Sequence, residues 1–385
     1  MIAYNSNWLD ALLTKDTAQK WHKKGLLSDE KWQAIEAAYT SNFYSPNIFV
    51  RIGLAIFTLI LLMAAGGLVA VFFEPNSEMG LSIFSLFWGV ICVLVLELRV
   101  IQPGRHYGSG IDDMFLYVAI GAFLTGLCSP LDYTTPTLVY YCIAWPFLVA
   151  GSIRYIDRLL AVAAFVCSMG IVLLAVKEIP RLALYLLPFA GMLFSAAVYI
   201  FSKQGQARYG WRHWNGILMV AELLALVTFY ASGNYWVVQQ AGADFFQLET
   251  VPMAWFFWAF TFIVPFLYIF AGLRRKDRHL LDIGLGCVAA AVFSFRYYYH
   301  VLPLTWATVI CGAVLFVTAY FSIRYLHQNE GGAYSYEEDS ETTLLQEIEQ
   351  QLIEQTIVNQ PGPTPEKTES FGGGQFGGGG AGDSF

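Results

Sequence analysis

The chain has 385 residues and a formal net charge of -7. Hydrophobic residues make up 56% of it and charged residues only 13%, roughly half the share found in soluble domains. This composition excludes an ordinary soluble protein and indicates a chain that crosses a membrane several times. The acidity is local, because residues 327–385 hold eleven acidic residues and a single basic one, Lys367.

The first part of the chain, residues 1–47, is predicted to be a small cytoplasmic helical module. Two short amphipathic helices are expected within residues 7–40. Ser28 is placed to cap the second helix, whose apolar stripe is Trp32, Ile35 and Tyr39. The lysines of this module suit a solvated helix face, an anionic membrane surface or a protein partner.

Ten apolar segments follow within residues 48–326, and each has about the length that a helix needs to span a bilayer. We therefore predict an all-α fold, a polytopic transmembrane helix bundle of about ten spans whose surface contacts the lipid bilayer. The predicted limits are 52–73, 81–98, 113–129, 136–153, 159–176, 182–202, 215–231, 252–272, 280–296 and 303–326.

Lysine and arginine are distributed unevenly between the connections of these spans. The even-numbered connections hold eleven basic residues, whereas the odd-numbered ones hold three, Lys177, Arg181 and Arg296. Because cytoplasmic loops are enriched in basic residues, the even connections and both chain termini are predicted to be cytoplasmic.

A short internal similarity is visible in the bundle. PFLVAGSIRYIDRLL at 146–160 resembles PFLYIFAGLRRKDRHLL at 265–281, with a proline inside one span and an Asp-Arg pair that opens the next. The two copies lie four spans apart and would share one orientation. A parallel duplication of four-helix units explains this similarity, and so does the general likeness of membrane helices.

The last part of the chain has two segments of different composition. Residues 327–360 are predicted to be an acidic cytoplasmic segment with a short amphipathic helix at 341–358. Residues 361–385 are rich in glycine and have little to bury, so we expect a disordered tail. This tail could be a solvated tether or a docking signal.

Three stretches carry a family resemblance: GLLSDEKWQAIEAAY, IFVRIGLAIFTLILLMAAGGLVA and YYYHVLPLTWATVICGAVLFVTAYF. Together they resemble an uncharacterised family of bacterial multi-pass membrane proteins with an N-terminal cytoplasmic helical module. The glycine-rich tail is similar to the ends of other bacterial membrane-associated proteins. The resemblance implies a location in the bacterial cytoplasmic (inner) membrane and brings no catalytic motif with it.

Sequence motifs typical of catalysis, phosphate binding or metal binding are not found. The chain has no P-loop, HExxH or GxSxG sequence, and no glycine run lies between a strand and a helix. Its cysteines and histidines lack the spacing of metal ligands. We therefore expect no catalytic residue, no metal site, no cofactor and no nucleic-acid partner.

One carboxylate lies deep inside a predicted span. Glu222 is about 10 Å along the helix from Asn215, where an ionised carboxylate is costly unless it is paired or protonated. It could bind a proton or cation in a transport path, form a structural hydrogen bond between helices, or line a hydrated vestibule with Asn215. Its basic partner is expected to be an arginine at a cytoplasmic helix end.

The sequence LRRKDRHL at 273–280 is the densest basic cluster in the bundle. It is interpreted either as a topological anchor or as a contact for anionic lipid headgroups. The side chains available for such a contact are Arg274, Arg275, Lys276 and Arg278.

Two functional hypotheses follow. The first is a membrane scaffold or interaction protein that recruits cytoplasmic partners through residues 7–40 or through the 327–385 tail. The second is a secondary transporter or channel that uses Glu222 as an intramembrane proton- or cation-binding carboxylate.

Overall fold

A computed structural model describes residues 2–23, 27–73, 77–179, 183–246 and 252–298, together with isolated positions 309, 312, 313, 316, 317, 320, 321 and 324. The chain divides into two units, Met1–Val314 and Leu315–Phe385. The described residues of the first unit form twelve α-helices and no strand. The all-α fold predicted from the sequence is confirmed.

Among the described residues, nine helices are long and apolar enough to cross a membrane, so the chain is a multi-pass membrane protein. These helices are α3 (Ile48–Ala70), α4 (Glu78–Val95), α5 (Ile111–Cys128), α6 (Thr137–Tyr155), α7 (Arg158–Lys177), α8 (Ala183–Gln206), α9 (Asn215–Gly233), α11 (Ala254–Arg275) and α12 (Arg278–Tyr298). A π-helical turn, Leu96–Ile101, extends α4, and a 3-10 helix, Tyr209–Trp214, precedes α9. Their limits lie within four residues of those expected from the sequence.

The predicted tenth span, 303–326, falls mostly outside the described residues, and the positions described within it are helical. The acidic segment 327–360 and the glycine-rich tail 361–385 lie wholly outside the described residues. The expectations for these three segments stay predictions.

Successive spans run in opposite directions, so every second connection lies at the same end of the bundle. We name this the charged end and define it by the connections 102–110, 156–157, 207–214 and 276–277. Contacts at the helix ends beside these connections link neighbouring elements through the pairs Glu97–Arg154, Ile153–Trp214 and Lys203–Asp277.

Two helical hairpins at the charged end, α6–α7 and α11–α12, close with the same turn. The first helix of each ends at a residue with left-handed backbone, Ile156 at φ 53° and Lys276 at φ 51°. The next residue, Asp157 or Asp277, caps the second helix by accepting a hydrogen bond from the amide three residues on, at 2.7 or 3.3 Å. The sequence similarity of these two regions therefore corresponds to a shared turn geometry.

A short helix between α9 and α11 was not predicted. This helix, α10 (Tyr235–Phe246), packs on α8, α9 and α11 near the end of the bundle opposite the charged end. The side chain of Asn234 caps it by accepting from the amides of Trp236 and Val237, at 3.0 and 3.4 Å. Asn234 also accepts a hydrogen bond from Ser294 Oγ on α12, at 3.0 Å. Twelve residues cannot span a bilayer, so a search for spans passes over α10.

The two N-terminal helices are α1 (Ser6–Lys23) and α2 (Asp29–Ala38). α1 packs on the bundle and buries Leu9, which lies in one hydrophobic core with Leu96 and Leu116. α2 packs on α1, where an ion pair of 2.9 Å joins Lys15 to Glu36. The N-cap predicted for α2 is present at its first turn.

Candidate functional site at the charged end

Glu222 lies on α9, about two turns from the charged end, and no part of it is exposed. The ammonium of Lys203, near the end of α8, is 2.7 Å from Glu222 Oε1. The amide of Gln206, on the same face of α8, donates a hydrogen bond of 2.7 Å to Glu222 Oε2. Both oxygens of the carboxylate are therefore held by one neighbouring helix, and the partner is a lysine rather than the arginine expected from the sequence.

Lys203 has a second carboxylate partner. Its Nζ lies 2.6 Å from Oδ2 of Asp277, the residue that caps α12. One ammonium thus bridges acids from α9 and from the α11–α12 turn, and 36% of the lysine side chain is exposed. We name these residues, Lys203, Gln206, Glu222 and Asp277, the Lys203 cluster.

The charges of the cluster stabilise one another. Burial opposes ionisation of Asp277, but the hydrogen bond and positive charge of Lys203 outweigh burial and hold the pKa of this carboxyl below its ordinary value. A buried ion pair is stable when every member keeps its partner, whereas an unpaired buried charge costs about 3–5 kcal/mol. The cluster can therefore hold the helices together through its ion pairs. It can also act as a site where a proton or cation competes with the lysine for the carboxylates.

Asn215 does not join Glu222. It is the first residue of α9 and is exposed, whereas Glu222 is fully buried further along the same helix. The two side chains do not form a single polar site in this structure.

Four basic residues surround the turn between α11 and α12 that contains Asp277. Arg274, Arg275 and Arg278 are exposed, and Arg278 lies 3.7 Å from the exposed Asp282. Lys276 occupies the left-handed position that ends α11. The exposure of the arginines is suitable for anionic headgroups and equally suitable for a topological anchor.

A second polar cluster at the charged end surrounds Asp112, which is 2% exposed. This carboxylate accepts hydrogen bonds from the amides of Gly108 and Ser109 at 2.7 and 2.9 Å, from Ser109 Oγ at 3.0 Å and from the Tyr4 hydroxyl at 3.3 Å. Burial, followed by the negative charges of Asp112 and Asp113, raises the pKa of Tyr4 well above its ordinary value. Tyr4 therefore stays a hydrogen-bond donor and links the N-terminal segment to α5.

The hydroxyl of Ser109 lies between an imidazole and a carboxylate, as in some hydrolases, but the order is different. His106 Nδ1 is 2.9 Å from Ser109 Oγ, and Ser109 Oγ itself donates to Asp112. In a hydrolytic triad the acid orients the histidine rather than the serine. Ser109 is also 0% exposed, so no substrate reaches it in this structure. The array holds the start of α5 in place.

Two further ion-pair groups link elements at the charged end. Asp10 of α1 pairs with Arg212 and lies 2.5 Å from His213 Nε2, both in the 3-10 helix before α9. Glu97 Oε1 is 2.8 Å from Arg154 and accepts a hydrogen bond from Tyr155 at 2.7 Å. The N-terminal helix and the connections of the bundle are therefore cross-linked through charged groups.

Sequence reasoning identified Glu222 by its depth but missed its partners Lys203, Gln206 and Asp277. Lys203 and Gln206 could have been predicted as partners. The connection between α8 and α9 is short, so these two helices must be antiparallel. Residues near the end of α8 then face residues near the start of α9. Nothing local in the sequence placed the α11–α12 turn beside them.

Metal ligation has no support in the described part of the chain, where no group of three or more His, Cys, Asp or Glu side chains is placed to hold an ion. In comparisons with known proteins, no family model, no curated protein and no solved structure matches this chain.

Proposed function

We propose that this protein is a scaffold or interaction protein of the bacterial inner membrane, with both termini in the cytoplasm. The observation that carries the proposal is the contrast between α1 and α2. α1 is fixed to the charged end of the bundle, whereas α2 packs on α1 and has no buried residue of its own. A helix that is held in place while most of its side chains are exposed is suited to binding a partner.

The fixation of α1 supports this function because a rigid display surface lowers the entropy cost of binding. The amide of Ala3 donates a hydrogen bond of 3.0 Å to the Arg154 carbonyl, and Tyr4 and Asp10 contact two further elements of the bundle. An N-terminal module that was attached to the bundle only through the first span would not need these contacts.

The location in the proposal is supported by the grouping of basic connections. The charged end gathers the even-numbered connections, which carry most of the lysine and arginine of the bundle, and α1 packs on that same end. Basic loops face the cytoplasm in membrane proteins. The bacterial origin is supported by the family resemblance of the sequence, which stays a prediction.

The Lys203 cluster is consistent with an anchoring bundle. Glu222 has a partner on each of its oxygens, and Lys203 joins α8, α9 and the cap of α12. In the proposed scaffold this cluster has a structural role, holding together the spans that carry the cytoplasmic surface.

Site-specific photo-crosslinking in cells tests the proposal. A photoreactive amino acid is placed at the exposed Gln33 on α2 and, as a matched control, at the exposed Tyr133 in the connection 129–136 at the opposite end of the bundle. We expect a discrete adduct with a cytoplasmic protein from position 33 and none of that mass from position 133. The adduct should persist in a Glu222→Gln background. Identical patterns from both positions would overturn the proposal.

A secondary transporter or channel is the alternative, and one observation favours it. Lys203 lies at nearly equal distances from Glu222 and Asp277, 2.7 and 2.6 Å, so a proton or cation that binds at Glu222 would release the lysine to the other acid. Ion and proton flux in proteoliposomes distinguishes the two functions. Flux that is lost in Glu222→Gln supports transport, and flux no greater than in empty liposomes rejects it.

A further inference from the structure

A cavity of about 190 Å³ lies between five helices, at the end of the bundle opposite the charged end. Its lining comes from the last turns of α7 and α9, the first turns of α8 and α11, and one face of α10. The cavity is thus distant from the Lys203 cluster and belongs to neither of the proposed functions.

The chemistry of the lining limits what can occupy this space. None of the described residues that line it carries a charge, and their polar side chains are limited to three hydroxyl groups, those of Tyr185, Thr228 and Ser232. Apolar cavities stay dry, and an empty one deprives its walls of dispersion contacts. An apolar cavity of about 150 Å³ is enough to bind benzene. This cavity therefore fits a hydrocarbon segment of several carbons and offers no site for an ion or a sugar.

The cavity opens at the depth of the membrane interface. Tyr185 and Met253 are its most exposed lining residues, at 48% and 42%. They lie at or beside the first turns of α8 and α11, so the opening is between the starts of these helices. Trp255 is 73% exposed beside it, and amphipathic rings favour this depth. The molecules that meet such an opening from the bilayer are lipids.

α10 closes the cavity on its outer side. Val237, Val238 and Ala241 face the cavity from one side of α10. Gln240 and Asp244 are exposed and form a hydrogen bond of 3.3 Å along the helix. This division of apolar and polar residues is typical of a helix that lies in the interface plane. α10 therefore separates a hydrocarbon-lined space from the polar region outside it.

We propose that this cavity binds one acyl chain of a phospholipid from the leaflet opposite the charged end. The chain enters between α8 and α11, past Tyr185 and Met253, and its methylene groups contact Met169, Leu173 and Phe257. The headgroup stays outside, at the level of the first turn of α8.

Photolabelling with a lipid probe tests this assignment. The full chain is reconstituted in nanodiscs of phosphatidylethanolamine and phosphatidylglycerol, doped with a phospholipid that carries a diazirine in the middle of one acyl chain. Phe257 lines the cavity and is only 3% exposed, whereas Phe266 on the same helix is 65% exposed outside it. We expect label at both residues of the wild-type protein.

Two filling variants and one control then separate the cavity from the outer surface. Ala231→Phe and Ala241→Leu add bulk inside the cavity, and Val227→Phe adds the same ring on the exposed face of α9, one turn away. We expect the filling variants to lose label at Phe257 and to keep it at Phe266. The control should keep both. Loss from only one filling variant, with unchanged thermal stability, still supports the assignment.

Three results would overturn the proposal. The first is a Phe257 without label in the wild-type protein, and the second is a label at Phe257 that persists in both filling variants. The third comes from native mass spectrometry of the purified full chain, in which we expect a retained phospholipid. An isoprenoid or another apolar molecule in its place would reject the acyl chain as the occupant.

Discussion

The ammonium of Lys203 lies 2.7 Å from the buried carboxylate of Glu222, and the two residues come from consecutive antiparallel spans. Lys203 keeps a second acid when Glu222 is neutralised, but among the described residues Glu222 pairs with no other cation when the lysine is removed. The two members of the pair are therefore not equivalent, and mutation should reveal the difference.

Lys203→Met should destabilise the bundle more than Glu222→Gln. The first change leaves an unpaired buried charge, which costs about 3–5 kcal/mol, while the second leaves a neutral amide beside Gln206. The double variant should recover part of the loss. Thermal unfolding of the purified protein in detergent measures all three. Equal destabilisation by the two single variants would contradict an ion pair in the folded state.

Acidification should weaken the fold through Asp277. The folded state lowers the pKa of this carboxyl, so the stabilisation it provides is complete above the ordinary aspartate value of about 4 and is lost as the pH falls through the lower folded value. Asp277→Asn should show a smaller loss of thermal stability between neutral and strongly acidic pH. The control is Asp132→Asn, at an exposed aspartate in the connection 129–136. An unchanged acid dependence in Asp277→Asn would exclude this residue as the source.

Gly272→Ala should weaken the packing of α11 against α12. A Cβ at position 272 would lie 2.9 Å from the backbone nitrogen of Leu281, which cannot move without shifting the helix. Overpacking of this kind costs about 1–3 kcal/mol. Gly286→Ala on α12 is the matched control, since a Cβ there meets nothing within 4 Å. Unfolding temperatures should fall for the first variant only, and a fall of similar size in both would disprove the close contact.

Tyr4→Phe should loosen α1 without unfolding the bundle. The change removes the hydroxyl that donates to Asp112, a loss of about 1 kcal/mol or somewhat more because the acceptor is charged. Hydrogen exchange of the α1 amides measures the effect and should become faster. Tyr44→Phe removes a hydroxyl from a ring that is 46% exposed and should leave exchange in α1 unchanged. Slow exchange in both variants would show that other contacts hold α1.

Much of the architecture followed from composition, because apolar runs of this length satisfy their backbone hydrogen bonds in a bilayer as helices. The caps at Ser28 and Asp277 also follow from local rules, since each needs only an oxygen placed before a helix. The sidedness inferred from lysine and arginine is consistent with a charged end but stays a prediction.

The features that the sequence did not predict depend on distance in space. α10 has 12 residues, too few to span a bilayer, so no pattern of span length reveals it. Asp277 meets Lys203 across 74 residues, a contact that requires the packing of four helices to be known. The apolar cavity could not be predicted from the sequence for the same reason, because each helix that lines it resembles any other membrane helix.

The contact of Asp10 with His213 joins residues that are 203 positions apart. During synthesis, α1 leaves the ribosome before the spans, but this contact forms only after the chain has been made as far as the 3-10 helix before α9. Leu9, which is buried in the finished protein, stays exposed until the spans that carry Leu96 and Leu116 have been made. The contacts of α1 therefore form in stages as successive spans appear, and its contact with His213 reports that the chain has been made as far as the start of α9.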